Sequence, residues 1–129
     1  MRILYGVQAT GQGHISRARA MAQAFKQHPD VDVTWLFSGR PRERLFDMEP
    51  FGDFQHRAGL TFVTEAGRLR YRKTIVANSY WQCIRDVQRL DVKAYDLVVT
   101  DYEPVTAWAG KLKKQPVLGI GHQYAYGKN

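Results

Sequence analysis

Apolar residues fall along the chain in short blocks whose spacing switches between strand and helix patterns. Residues 2–8 form a near-continuous apolar run bounded by Gly11 and Gly13, the mark of a buried strand. From Ile15 to about Gln27, Ile15, Ala18, Met21, Ala22 and Phe25 recur at three- and four-residue spacing and predict a helix. His28-Pro29-Asp30 ends it, because proline cannot continue a helix and disfavours helical geometry before it. Asp32 to Ser38, with Val33, Trp35, Leu36 and Phe37, predicts a second strand closed by Gly39. Strand, glycine loop, helix and strand in this order have the size of a βαβ unit.

The remainder repeats the alternation less cleanly. Arg40 to Met48 reads as a short helix stopped by Glu49-Pro50. From Gly52 to Ala77 the pattern is strand-like, with Ala66-Gly67 as a turn between Leu60–Glu65 and Arg68–Ile75. Asn78 or Ser79 can cap a helix to about Leu90, whose inner face would carry Trp81, Ile84, Val87 and Leu90. Asp96 to Thr100 is a strand of the fully buried kind with Asp101 at its end. Pro104 opens a helix to Lys114, and Pro116 to Ile120 is a last strand leading into Gly121-His122-Gln123. Buried strands alternating with helices argue for an α/β fold: an open, mainly parallel sheet with helices on both faces.

Composition narrows the setting. The 129 residues, 44% of them hydrophobic, suit one domain. No apolar run approaches the roughly 20 residues of a membrane helix, and the N-terminus lacks the pattern of a signal peptide. The lone Cys83 cannot pair within the chain, and no Cys/His spacing suggests a metal. A cytoplasmic setting is the expectation. Lys and Arg outnumber Asp and Glu by 19 to 12, for a net charge of +7, which favours anionic partners. The excess lies in three dispersed clusters: Arg40, Arg42 and Arg44; Arg68, Arg70 and Arg72; and Lys111, Lys113 and Lys114. Without a nucleic-acid motif they predict solvated faces, an anionic substrate or a membrane surface, and no nucleic-acid partner. Trp35 and Trp81 sit in apolar periodic patterns and are expected in the core, and His28 and His56 at the surface.

The segment Gly11-Gln12-Gly13-His14-Ile15-Ser16-Arg17 carries the candidate chemistry. Glycines between a first strand and its helix expose backbone amides at a helix N-terminus, which attracts phosphate or another anion. Ser16 stands where the dinucleotide fingerprint has its third glycine, and no Gly-Lys-Ser/Thr follows, so the loop is not one for NAD or ATP. His14 heads the helix. That position disfavours a protonated imidazole and suits a general base. Arg17, one turn on, can face a phosphate or pair with an acid.

Gly11-x-Gly13-His14-x-x-Arg17, Thr100-Asp101-Tyr102-Glu103-Pro104 and Gly121-His122-Gln123 follow three strands in order. Together they resemble the N-terminal half of the GT-B glycosyltransferases. The closest group contains the peptidoglycan N-acetylglucosaminyltransferase and bacterial UDP-glucuronosyltransferase-like proteins. The resemblance implies a single Rossmann-like, three-layer α/β/α domain over residues 1–129 on the acceptor side of an enzyme. That enzyme would move a sugar from a nucleotide-sugar, a UDP-sugar being the expected donor, to an acceptor hydroxyl. It further implies His14 as the acceptor base and Asp101 as the acid orienting it. Gly11, Gln12, Gly13, Arg17, Glu103 and His122 become candidate substrate contacts.

The residues themselves support the first pairing. In a doubly wound sheet the first and fourth strands are neighbours at the switch point, so His14 and Asp101 would flank one crevice. Glu103 is the rival acid, and a helix-start role for either acid is the competing account. No cofactor is expected beyond the nucleotide-sugar as co-substrate. The family's donor-binding C-terminal domain is expected to be absent from the chain, which alone should not transfer sugar efficiently. The acceptor is unspecified, lipid-linked in the peptidoglycan relatives, with peripheral membrane contact as a corollary. The alternative is a stand-alone, non-catalytic α/β module that binds a phosphorylated ligand or a partner protein.

Overall fold

The first strand, β1 (Arg2–Gln8), runs through the middle of a parallel sheet. The computed structural model describes residues 1–10, 12–58, 64–65, 68–69 and 80–120. After β1 come α1 (Gln12–Phe25) and β2 (Asp32–Ser38). Two 3-10 turns (Arg42–Arg44 and Glu49–Phe51) lead to β3 (Gln55–Arg57). A two-residue antiparallel pair, β4 (Thr64–Glu65) and β5 (Arg68–Leu69), stands apart from the main sheet. The chain continues with α2 (Tyr80–Arg89), β6 (Leu97–Asp101), α3 (Pro104–Leu112) and β7 (Val117–Gly119).

The main sheet has the order β3-β2-β1-β6-β7, with all neighbours parallel. The chain therefore winds outward from β1 in one direction and, beginning with β6, in the other. In an open α/β sheet that reversal leaves a crevice at the carboxyl ends of the two central strands, where ligands bind. Val7 of β1 is in register with Phe37 of β2 and Asp101 of β6.

Strand alternation divides the core between two faces. Ile3, Tyr5, Val7, Trp35, Phe37 and Val99 pack against Ile15, Ala18 and Ala22 of α1. Leu4, Leu36 and Val98 pack on the opposite side against Cys83 and Leu90 and against Val105 and Ala109 of α3. The same parity puts Asp101, two residues after Val99, on the α1 side. It puts Ser38 and Thr100 on the α3 side. α3 lies so close to β1 that a Cβ at Gly6 would run into the Thr106 side chain, so glycine is required there.

Three expectations are corrected. Arg40–Met48 is not an α-helix: after one 3-10 turn, Leu45 is extended and Asp47 has φ 57°. Pro50 lies inside the second turn, which carries Phe51 into the core against Trp35 and Phe37. The inner face of α2 is also different. Cys83, Asp86 and Leu90 are buried, whereas Trp81 is 77% and Ile84 47% exposed. Both sets of positions recur at helical spacing, and the helix is rotated to bury the one that meets Leu4, Leu36 and Val98. Trp81 is therefore a surface residue. His56, by contrast, is half-buried, with Nε2 at 2.7 Å from the Arg40 carbonyl. The Ala66-Gly67 turn and the Asn78/Ser79 cap lie outside the described residues, though the pairing Glu65↔Arg68 matches the expected hairpin.

Candidate active site

β1 ends at Gln8 and β6 at Asp101, side by side at the carboxyl edge of the sheet. α1 begins at Gln12, three residues earlier than the apolar spacing suggests, so Gly13 and His14 fall in its first turn. Asp101 is completely buried beneath that turn. His14 Nδ1 lies 2.7 Å from Asp101 Oδ1, and Arg17 Nε lies 3.4 Å from Oδ2. His14 and Arg17, three apart on one helix face, thus take the two oxygens of one carboxylate. The longer contact is an ion pair without hydrogen-bond geometry. A buried carboxylate needs such partners, because its desolvation is otherwise uncompensated.

The pairing fixes the imidazole. An ionised carboxylate only accepts hydrogen bonds, so with neutral His14 the proton sits on Nδ1, and the Nε2 lone pair is left for a substrate. The His14 side chain is 28% exposed, enough to meet one. Among the described residues, nothing lies within 4 Å of where a Cβ on Gly13 would stand.

Tyr102 follows Asp101 with φ 59°. A left-handed conformation in a non-glycine residue costs about 1–3 kcal/mol and persists where the surroundings impose it. Here the chain passes from strand to helix in two residues. Asp101 is held against Val7, and Glu103 already caps α3. The Tyr102 ring meets His14 edge-on, with centroids 5.7 Å apart and planes at 65°. Tyr5, on the same face of the sheet as Asp101, is fully buried, and its hydroxyl has no hydrogen-bond partner among the described residues. Burial, with the Asp101 charge adding and Arg17 opposing, pushes that phenol up to about 12.

Glu103 is spent elsewhere. It is completely buried and accepts from Val105 N at 2.9 Å, Thr106 N at 2.6 Å and Ser38 Oγ at 2.5 Å. Burial raises its carboxyl above the ordinary value, while the hydrogen bonds from Ser38, Thr106 and Val105 oppose the rise. The helix-start account thus holds for Glu103, whose carboxylate is buried and taken up by the cap of α3 and by Ser38. A second network steadies the loop after β1. Gln8 donates to Thr10 Oγ1, Thr10 Oγ1 reaches the Gly39 carbonyl at 3.4 Å, and Arg40 reaches the Thr10 carbonyl at 3.4 Å. Gly39 has φ 90°, and a Cβ there would stand 2.5 Å from Gln8 Nε2.

The structure thus brings together His14, Asp101 and Arg17 of the expected site. Gly11 and His122 lie outside the described residues, as does the side chain of Gln12. Of the basic clusters, Arg42 stacks over Phe54 at 4.7 Å, and Lys113 Nζ caps α2 through the carbonyls of Gln88 and Leu90. Arg68, Arg70 and Arg72 are not described beyond the backbone of β5. Tyr102 and Tyr5 were not anticipated. Tyr5 has a sequence signal, since it shares the strand parity of Val7 and thus the face of Asp101.

An open parallel sheet with its paired histidine and aspartate at the switch point defines a Rossmann-like α/β domain of the kind that builds the GT-B glycosyltransferases. The chain belongs to glycosyl transferase family 1, whose model matches residues 1–128. Among solved structures it is similar to MurG from Acinetobacter baumannii, at 18% identity and a TM-score of 0.52. The match covers 97% of this chain and 37% of that one, so the chain spans little more than a third of the MurG length. It is also similar to the C-terminal domain of a hydrogenase from Pyrococcus furiosus, at 16% identity and a TM-score of 0.53, covering 92% of this chain and 90% of that one. Both likenesses concern the fold. No curated protein sequence matches the chain.

Proposed function

We propose that this domain forms the acceptor side of a glycosyltransferase that moves a sugar from a nucleotide-sugar, a UDP-sugar in our reading, to an acceptor hydroxyl. The observation that carries the proposal is the 2.7 Å contact between His14 Nδ1 and the buried Asp101. With Nδ1 engaged, Nε2 takes the proton from the acceptor hydroxyl as that oxygen attacks the anomeric carbon and the nucleoside diphosphate leaves. Asp101 then stabilises the imidazolium that forms. Arg17 faces the second oxygen of Asp101 at 3.4 Å and helps to hold the carboxylate in place. The donor is held by a second domain, in the same chain or another, and the domain described here alone supplies one wall of the cleft. Labelled UDP-sugars, offered with lipid and small-molecule extracts to this domain together with its donor-binding partner, test the proposal. Formation of a labelled product supports it, and failure with every UDP-sugar contradicts the choice of donor.

A lipid-linked acceptor would bring the domain to a membrane surface on the cytoplasmic side. Ile84, Trp108 and Leu112 are exposed along a groove of about 390 Å³ between α2 and α3. Trp81 and Arg85 line a second hollow that shares Ile84 with it, and Lys111 stands over the Trp108 ring. Apolar residues with a basic border suit an anionic lipid surface. No helix among the described residues is long and apolar enough to cross a membrane. Unchanged co-sedimentation with anionic vesicles after Trp81→Ser and Trp108→Ser would remove this contact.

A further inference from the structure

We propose that Tyr102 is a positioning residue for His14: its ring, carried on a left-handed backbone, holds the imidazole plane so that Nδ1 stays on Asp101. The inference rests on reading His14 as the base, but its test does not require sugar transfer.

Three observations converge on it. Tyr102 has φ 59°, a conformation glycine or asparagine adopts at lower cost. The only side chain that follows directly from Asp101 at this turn is thus one that the backbone disfavours. Its ring centroid lies 5.7 Å from that of His14 at 65°, within the range of attractive edge-to-face pairs. His14 is itself partly exposed and, among the described residues, is hydrogen-bonded through Nδ1 to Asp101 alone. A single hydrogen bond does not by itself stop an imidazole from turning about its own side-chain bonds and carrying Nδ1 off the carboxylate. A ring standing edge-on removes that freedom, so the direction of Nε2 is set by two contacts. Both come from consecutive residues, Asp101 and Tyr102, at the end of the strand beside β1. The strained backbone and the ring contact then have one explanation: the left-handed turn is what aims a residue next to Asp101 back towards α1.

The test reads the ring directly. Imidazole ¹⁵N spectra of the 129-residue chain, with His14 assigned by its loss in His14→Gln, report which nitrogen carries the proton. Wild type and Tyr102→Phe, which keeps the ring, should show His14 as a single Nδ1–H tautomer. Tyr102→Gly relieves the backbone and removes the ring. It should lose the single-tautomer signature while its Tm stays equal or rises. Should the glycine variant fail to fold, Tyr102→Asn, which also tolerates the left-handed region, is read in the same way. A His14 signature that persists without the ring overturns the proposal, with or without a fall in Tm. So does its loss in Tyr102→Phe. Because no transfer is measured, these results stand or fall separately from the assignment of the reaction.

Discussion

His14 Nδ1 and Asp101 Oδ1 lie 2.7 Å apart although 87 positions separate them in the chain. The helix following β1 supplies one partner and the end of β6 the other, so the pair is a product of the sheet order. Had the chain continued outward past β3 instead of returning beside β1, no carboxylate would stand under the first turn of α1. The account of function depends on that juncture, and the predictions test its parts.

Asp101→Asn should retain the fold and lower sugar transfer by about 10²–10⁴-fold, the usual contribution of acid–base catalysis. An asparagine amide can donate to Nδ1 and so favour the wrong tautomer at Nε2. Steady-state rates of the domain with its donor-binding partner check this, and a loss below threefold, or about 0.7 kcal/mol, would deny Asp101 its orienting role.

Tyr5→Phe should leave stability unchanged or raise it, because the deleted hydroxyl is buried without a hydrogen-bond partner among the described residues. The substitution also changes the alkaline limb. The phenol of Tyr5 is raised from 10.0 to about 12. The folded state therefore keeps a proton that the unfolded chain loses above about 10, and this contribution to stability disappears as pH rises through about 12. Urea melts between these values should fall less steeply for Tyr5→Phe than for wild type. A variant destabilised at neutral pH would indicate a partner for the hydroxyl.

Glu103 behaves in the acid range as Tyr5 does in the alkaline. Its folded value is raised above 4.5, so the native state retains a proton that the unfolded chain has released. Its favourable contribution is complete below the unfolded value and is lost as pH climbs through the folded one. Subtracting a Glu103→Gln profile from wild type should isolate this decline. Parallel profiles would show that the carboxyl is not raised. The same variant gives up the hydrogen bond from Val105 N and should cost about 0.5–2 kcal/mol at the helix cap.

Much of this arrangement is legible in the sequence because the central strands are buried on both faces. Residues 2–8, 32–38 and 96–100 stand out as apolar runs, and the doubly wound order follows from their alternation with helices. From that order the pairing of His14 with Asp101 can be anticipated. Strand parity puts Asp101 on the α1 face with Val99. Glu103 has the same parity, but the chain leaves the strand at the left-handed Tyr102, and Glu103 is taken up as the cap of α3. The rotation of α2 could not be read, because Trp81 and Ile84 recur at the same spacing as Cys83, Val87 and Leu90. Only the tertiary contacts with Leu4 and Leu36 decide between them. Leu45 and Met48 have helical spacing yet reach the core from an irregular segment, where Asp47 reverses the backbone. The left-handed turn at Tyr102 was equally hidden, being imposed by the two elements it joins.

The most direct measurement of the central claim is the rate of sugar transfer by His14→Gln, with the donor-binding partner present and nucleotide-sugar saturating. Glutamine occupies similar space and can still contact Asp101, but cannot accept the acceptor's proton. The account predicts a fall of about 10²–10⁴-fold in kcat with little change in Tm. A variant that transfers sugar at the wild-type rate would contradict it.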